Sequence, residues 1–322
     1  MIDCNERKTR VAQKIKAVML GHAVGDAVGV PVEFVSREEL RADPVVDMTG
    51  FGTHSVPAGS WSDDTSMAIC ALDSLVKKGK FDADDILRNF GKWYYEGNFT
   101  PTGEMFDVGN VCYTAIQRYF AEHIPADQCG SSDEYSNGNG SLMRIHPFVL
   151  YAYAKDLSNA DRSALIESGS ALTHAHERSK IGCLIYSFVL EKLLNDPTKD
   201  AITRGLEEAK QSLGTRAEIS HYARLFDSEF ASLSEEEIRS SGYIVDTLEA
   251  ALWCALNTDS YRACILKAVN LGSDTDTVAA VAGGIAGALY GYDAIPRLWR
   301  DLLLKREQIE GLCEKAGMTW VE

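Results

Sequence analysis

Basic side chains are scarce in this 322-residue chain: 32 Lys and Arg stand against 47 Asp and Glu, a net charge of −15. No basic stripe is present, so broad binding to nucleic acid or to an anionic membrane is not expected, although a local phosphate pocket stays compatible. Cysteines occur at positions 4, 70, 112, 129, 183, 254, 264 and 313 but never as a CxxC pair, which removes the usual zinc and redox spacings. Cys70, Cys183, Cys254 and Cys264 lie in apolar helical runs, as buried reduced thiols do. Also missing are a Walker loop, a GxGxxG fingerprint after a strand and a GxSxG elbow. Thr173-His174-Ala175-His176 spaces its imidazoles two apart, the wrong interval for one helix face. Lys14 and Lys16 interrupt the first apolar stretch, so neither a signal-peptide core nor a run able to span a bilayer is expected. The default expectation is a cytoplasmic monomer.

What is abundant is helical periodicity. Ile181, Leu184, Ile185, Phe188 and Val189 follow the spacing of one helix face, as do Val278, Val281, Ile285 and Leu289, and period-2 patterns are nearly absent. The spacing predicts helices at about 9–29, 63–79, 82–97, 105–122, 140–155, 161–173, 178–195, 200–213, 218–230, 245–257, 259–270, 275–290 and 303–316. Segments 30–62, 98–104 and 124–139 read as irregular. No linker divides the chain, so one all-α domain over 1–322 is expected.

Two acidic runs carry the strongest chemical signal. Ser62-Asp63-Asp64-Thr65 and Ser273-Asp274-Thr275-Asp276-Thr277 each precede an apolar helix, and 210 positions separate Asp64 from Asp274. N-capping explains one acid per helix, but each run holds more carboxylates than a cap needs. Carboxylates with interleaved hydroxyls suit Mg²⁺ or Mn²⁺, and a helix start lowers carboxylate pKa, which keeps such acids ionised. The runs can meet only if the fold joins two helix starts. Helix 275–290 carries Gly283, Gly284 and Gly287 among alanines, and its small side chains suit close helix packing that fixes the second run. A second small-residue helix, Gly21 to Gly29, is broken by Pro31. Glu33 follows, either as an exposed loop acid or as an acid, base or gate of raised pKa, and Asp26 reads equally well as a buried structural acid. Asn137-Gly138-Asn139-Gly140-Ser141-Leu142-Met143-Arg144 looks like a loop entering a helix, either a plain turn or an anion-binding one.

With these motifs in one chain and in order from Gly21 to Gly291, the sequence resembles the ADP-ribosylglycohydrolase family. The resemblance implies an all-α orthogonal multi-helix bundle with two Mg²⁺ or Mn²⁺ ions in a cleft. It assigns Ser62, Asp63, Asp64, Asp274, Asp276 and Thr277 to the metals, Asp63 or Asp64 to the water, and Glu33 to gating or acid catalysis. The loop Asn137, Gly138, Asn139, Gly140 and Ser141, together with His174, would line the ADP-ribose site. Pro101–Asn110 resembles a segment of bacterial, arginine-directed members, which brings Gly103 and Asp107 to the ligand, Asp107 at the distal ribose or in proton transfer.

The implied reaction is hydrolysis of the bond between ADP-ribose and a protein side chain, with arginine favoured by that segment and ADP-ribosylated protein as partner. Release from serine, from nucleic acid or from a free adduct is the alternative within enzymes. A non-catalytic ADP-ribose-binding relative is expected to have lost metal carboxylates, and here they are all present with Glu33. A phosphate-ester hydrolase using the same ions is a third reading.

Overall fold

The computed structural model describes residues 3–321, and among them there is no β-strand, only isolated bridges such as Gly138 with Tyr243. The helices are α1 (Cys4–Gly29), α2 (Arg37–Ala42), α3 (Asp63–Lys78), α4 (Ala83–Glu96), α5 (Asn110–Phe120), α6 (His146–Ala154) and α7 (Asn159–Ala171). They continue as α8 (Glu177–Asn195), α9 (Lys199–Leu213), α10 (Ile244–Leu256), α11 (Tyr261–Val269), α12 (Thr275–Tyr290), α13 (Arg297–Leu302) and α14 (Arg306–Trp320). One apolar cluster draws on residues from Val11 to Val321.

The pairing of α1 with α12 organises the molecule. A Cβ on Gly25 would stand 2.1 Å from the carbonyl oxygen of Ala279, and one on Gly29 would stand 2.4 Å from Cα of Asp276. Only glycine lets the two backbones come this close. Gly283 and Gly287 make the same approach from the α12 side, so the small-residue stripe is a packing device, as its composition predicts. The pairing places the C-terminal end of α1 against the N-terminal end of α12, where the second acidic run begins.

Several boundaries differ from expectation. Helix 105–122 starts at Asn110, because 101–107 runs as a loop over Asp63 instead. Residues 139–144 form a 3-10 turn ahead of α6, not its first turn, and 217–226 is a 3-10 run where a helix over 218–230 was expected. The irregular stretch 30–62 contains α2, set by a Ser36/Glu39 capping box. With its 3-10 extension, Cys4–Val32 is long and apolar enough to cross a membrane by length and composition, contrary to expectation. The fold uses it as a core helix, with 89% of the apolar window buried. All the cysteines are free thiols, and only Cys4 is exposed.

Candidate functional site

The site starts from Asp26, fully buried near the end of α1. Its carboxylate accepts from the backbone of Ser62 (2.9 Å) and Thr65 (3.1 Å) and from the Thr65 hydroxyl (2.6 Å), clamping the first turn of α3. Burial pushes this carboxyl up to about 7 against the pull of those donors. The structural reading of Asp26 is the one the geometry supports.

The cap of α3 is Ser62, whose hydroxyl accepts from the Asp64 amide at 3.4 Å and is 3.0 Å from Asp64 Oδ2. Asp63 and Asp64 are therefore not used as caps. Asp274 occupies the cap position of α12 and makes no side-chain cap bond, while Asp276 Oδ1 accepts from the Thr277 amide at 2.8 Å. Thr277 Oγ1 donates to Asp64 Oδ2 at 3.3 Å, which joins the two runs. Asp64 Oδ1 is buried with no protein partner among the described residues.

Glu33 arrives by a short backbone pairing. The Phe34 amide donates to the Ser273 carbonyl (2.7 Å), and the Ser273 amide donates to the Val35 carbonyl (2.8 Å). Both Phe34 and Ser273 adopt φ of 67°, a conformation costly for residues with a side chain. Ligand atoms of Glu33, Asp274 and Asp276 consequently fall within 4.8 Å of one another, close enough to hold a metal ion. A second such group is Glu33, His54 and Asp107. Glu33 Oε2 contacts His54 Nε2 directly, and Thr53 Oγ1 donates to the Glu33 carbonyl at 2.8 Å. Nothing in the sequence pattern singled out His54. It lies in an irregular loop and meets Glu33 only through tertiary structure.

Electrostatics here run against one expectation. Burial, followed by the neighbouring carboxylates, pushes Asp63, Asp64 and Asp276 well above the usual range. Burial likewise raises Asp274 and Glu33, and the bond to Glu33 raises His54. The helix starts were expected to lower these acids, but desolvation and mutual repulsion outweigh a dipole end worth about 0.3–1 kcal/mol.

Around this centre, Asn139 Nδ2 donates to Asp274 Oδ2 (2.8 Å) and lies 2.9 Å from Thr247 Oγ1. Asn137 accepts from Ser179 Oγ (2.8 Å) and donates to the Glu134 carbonyl (2.7 Å), while Ser141 is buried against Ser170 and Cys183. These side chains are committed to the scaffold, which leaves the Gly138 and Gly140 backbone and the His174 ring facing one another. The Gly109 amide donates to Asp63 Oδ2 at 3.2 Å and ties the segment after Asp107 to the centre. Gly103 lines a cleft of about 810 Å³ with Phe99 and Lys305, to which none of Glu33, Asp63, Asp64, Asp274 and Asp276 contributes. Phe34, 70% exposed, and Phe106 flank His54, with ring centroids 6.3 and 5.2 Å away.

The sequence profile of the ADP-ribosylglycohydrolase family matches residues 7–321. The chain belongs to this family. It is 35% identical to the ADP-ribosylarginine hydrolase Tri1 of Serratia proteamaculans, over 94% of this chain and 78% of that protein. To the ADP-ribosyl-[dinitrogen reductase] glycohydrolase of Rhodospirillum rubrum it is 31% identical, over 96% of this chain and 98% of the other. A solved structure titled ADP-ribosylglycohydrolase-related protein complex superposes with a TM-score of 0.81 at 31% identity, covering 97% of this chain and all of that one. As an ADP-ribosylglycohydrolase, the chain is a hydrolase of ADP-ribosyl linkages, and its clustered carboxylates can hold a metal.

Proposed function

We propose that this glycohydrolase cleaves the bond between ADP-ribose and arginine on modified proteins, using divalent cations held by its two acidic runs. The observation that carries the metal reading is the Thr277–Asp64 contact, which joins the two acidic runs at a buried Asp64 whose Oδ1 has no protein partner among the described residues. The donor set fits a hard cation: Asp64 Oδ1 has no protein partner among the described residues, and the side chains of the two runs offer carboxylate and hydroxyl oxygens. Ser62, Asp63, Asp64, Asp274, Asp276 and Thr277 would hold two Mg²⁺ or Mn²⁺ ions. Such ions supply electrostatic stabilisation and a water made acidic enough to attack at neutral pH.

The remaining chemistry belongs to side chains. Hydrolysis at the anomeric carbon passes through an oxocarbenium-like state, breaks the bond to the guanidine nitrogen and adds water's hydroxyl to the sugar. Asp63 and Asp64 orient the water and accept its proton. Glu33, raised by burial and bonded to His54, delivers a proton to the departing guanidine. Phe34 and Phe106 offer faces on which a planar guanidinium can stack, with Asp107 close by to oppose its charge. That rim and the names of the two relatives above support arginine as the leaving group. The linkage test is ADP-ribose release from matched arginine-linked and serine-linked peptides. Release from arginine alone is expected, and release from serine alone overturns the choice of substrate.

A further inference from the structure

A buried cation stands behind the 137–144 loop. Arg144 is fully buried and has no carboxylate partner among the described residues. Its Nη1 donates to the Gly169 carbonyl (3.0 Å), its Nη2 donates to Thr173 Oγ1 (2.6 Å), and the guanidinium lies 5.2 Å above the Phe90 ring. Thr173 Oγ1 in turn lies 2.8 Å from Nδ1 of His174, and both residues are buried.

The direction of this chain follows from its first member. A guanidinium only donates, so Thr173 accepts from Arg144, and that charge polarises the hydroxyl toward donating onward. Cys112 Sγ lies beside the same hydroxyl and 3.8 Å from the Gly140 carbonyl, and its sulfur is a weak acceptor. Of the acceptors left to the hydroxyl proton, the His174 Nδ1 nitrogen at 2.8 Å is stronger than the Cys112 sulfur, which assigns Nδ1 as the bare ring nitrogen. The field of the guanidinium favours the same arrangement, because it draws the lone-pair end of the imidazole dipole toward itself. Burial, aided by Arg144, also pushes the ring's pKa down to about 3, so it is neutral. The proton then sits on Nε2, which makes no protein hydrogen bond among the described residues. A Cβ on Gly140 would lie 3.5 Å from Nε2, and one on Gly138 3.7 Å.

We propose that Arg144 and Thr173 are positioning residues that lock His174 as the neutral Nε2–H tautomer, so that the ring presents a donor beside Gly138 and Gly140 to an acceptor oxygen of bound ADP-ribose. The identity of the ligand rests on the functional reading above, whereas the tautomer rests on the Arg144–Thr173–His174 contacts and the burial of the ring. A ring free to adopt either tautomer would spend part of its time with a lone pair facing that oxygen.

The test is a long-range proton–nitrogen correlation spectrum of the full chain labelled with ¹⁵N-histidine, paired with ADP-ribose titration in Mg²⁺. The His174 signal is the one lost in His174→Gln. Wild type is expected to show a pure Nε2–H pattern. Thr173→Val, which keeps the shape and removes the hydroxyl, is expected to give a mixed or Nδ1–H pattern and to weaken ADP-ribose binding about 5- to 20-fold. Thr173→Ser is expected to restore both. A purely structural role for Thr173 would lower the melting temperature and leave the tautomer alone. A mixed or Nδ1–H pattern in wild type overturns the proposal, and needs no variant to fold. So does an unchanged tautomer in Thr173→Val, or a changed tautomer with unchanged affinity. A wild type that binds no ADP-ribose contradicts the functional reading, while its spectrum still decides the relay.

Discussion

The hydroxyl of Thr277 donates to Asp64 Oδ2 at 3.3 Å, although 213 positions separate the two residues. This bond brings two helix starts, each rich in carboxylate, to one point beneath Glu33. In the absence of a cation, like charges are crowded where water is excluded, so the arrangement is costly by itself.

Removing one charge should therefore stabilise the metal-free protein while disabling the enzyme. Asp64→Asn keeps an acceptor for Thr277 and Ser62. In EDTA it is expected to melt above wild type, and in Mg²⁺ its turnover should fall at least about 100-fold. Thermal melts and ADP-ribose release measured side by side check this, and a lower melting point in EDTA would count against the crowding argument.

The pH dependence carries the same signature. Asp26 has an ordinary pKa of 3.8 and about 7 in the fold, so its contribution to stability is full below about 4 and is lost as pH rises toward 7. Asp63, Asp64, Asp276 and Glu33 share that sign. Buried His22 and His174 act oppositely: ordinarily 6.5 and about 3 here, they lose stability as pH falls below 6.5. Comparing melts in Mg²⁺ and in EDTA at each pH cancels the histidines. The gain from Mg²⁺ should be smallest at acid pH and grow as pH rises and the raised carboxyls ionise, and a gain independent of pH would speak against a buried acidic site.

The α1–α12 approach predicts that Gly29→Ala is damaging despite adding one methyl group. Its Cβ would lie 2.4 Å from Cα of Asp276, so the backbone of the second run must shift. A loss of about 2 kcal/mol or more is expected in denaturant unfolding, together with weaker Mg²⁺ binding. Unchanged Mg²⁺ affinity would mean that the helix pairing does not set the site.

Phe34 separates binding from stability. It holds φ of 67° and is exposed, so Phe34→Gly relieves backbone strain and removes a stacking face. KM for an arginine-linked peptide should rise about 3- to 30-fold with no loss of melting temperature. A fall in melting temperature with KM unchanged would assign Phe34 to the fold instead.

Much of this was readable in the sequence. Helical spacing gave the all-α architecture, and the oversupply of acids around Ser62 and Asp274 pointed to the centre before any fold was known. Segment 105–122 misled because Met105, Phe106 and Val108 continue the apolar rhythm of α5, whereas the chain runs them as a loop over Asp63. His54 had no local pattern, since its partner Glu33 is reached only through the turn that Phe34 shares with Ser273. The direction of the carboxylate shifts is not legible in sequence, because a helix end is visible there and burial is not. Arg144 in the Leu-Met-Arg run gave no sign that its charge would be buried behind His174.

The most direct test is ADP-ribose release from an arginine-linked peptide by wild type in Mg²⁺, then in EDTA, then with Mg²⁺ restored. The account predicts release, its loss and its recovery. Equal release in EDTA would contradict the metal centre, and no release under any condition would contradict the arginine linkage.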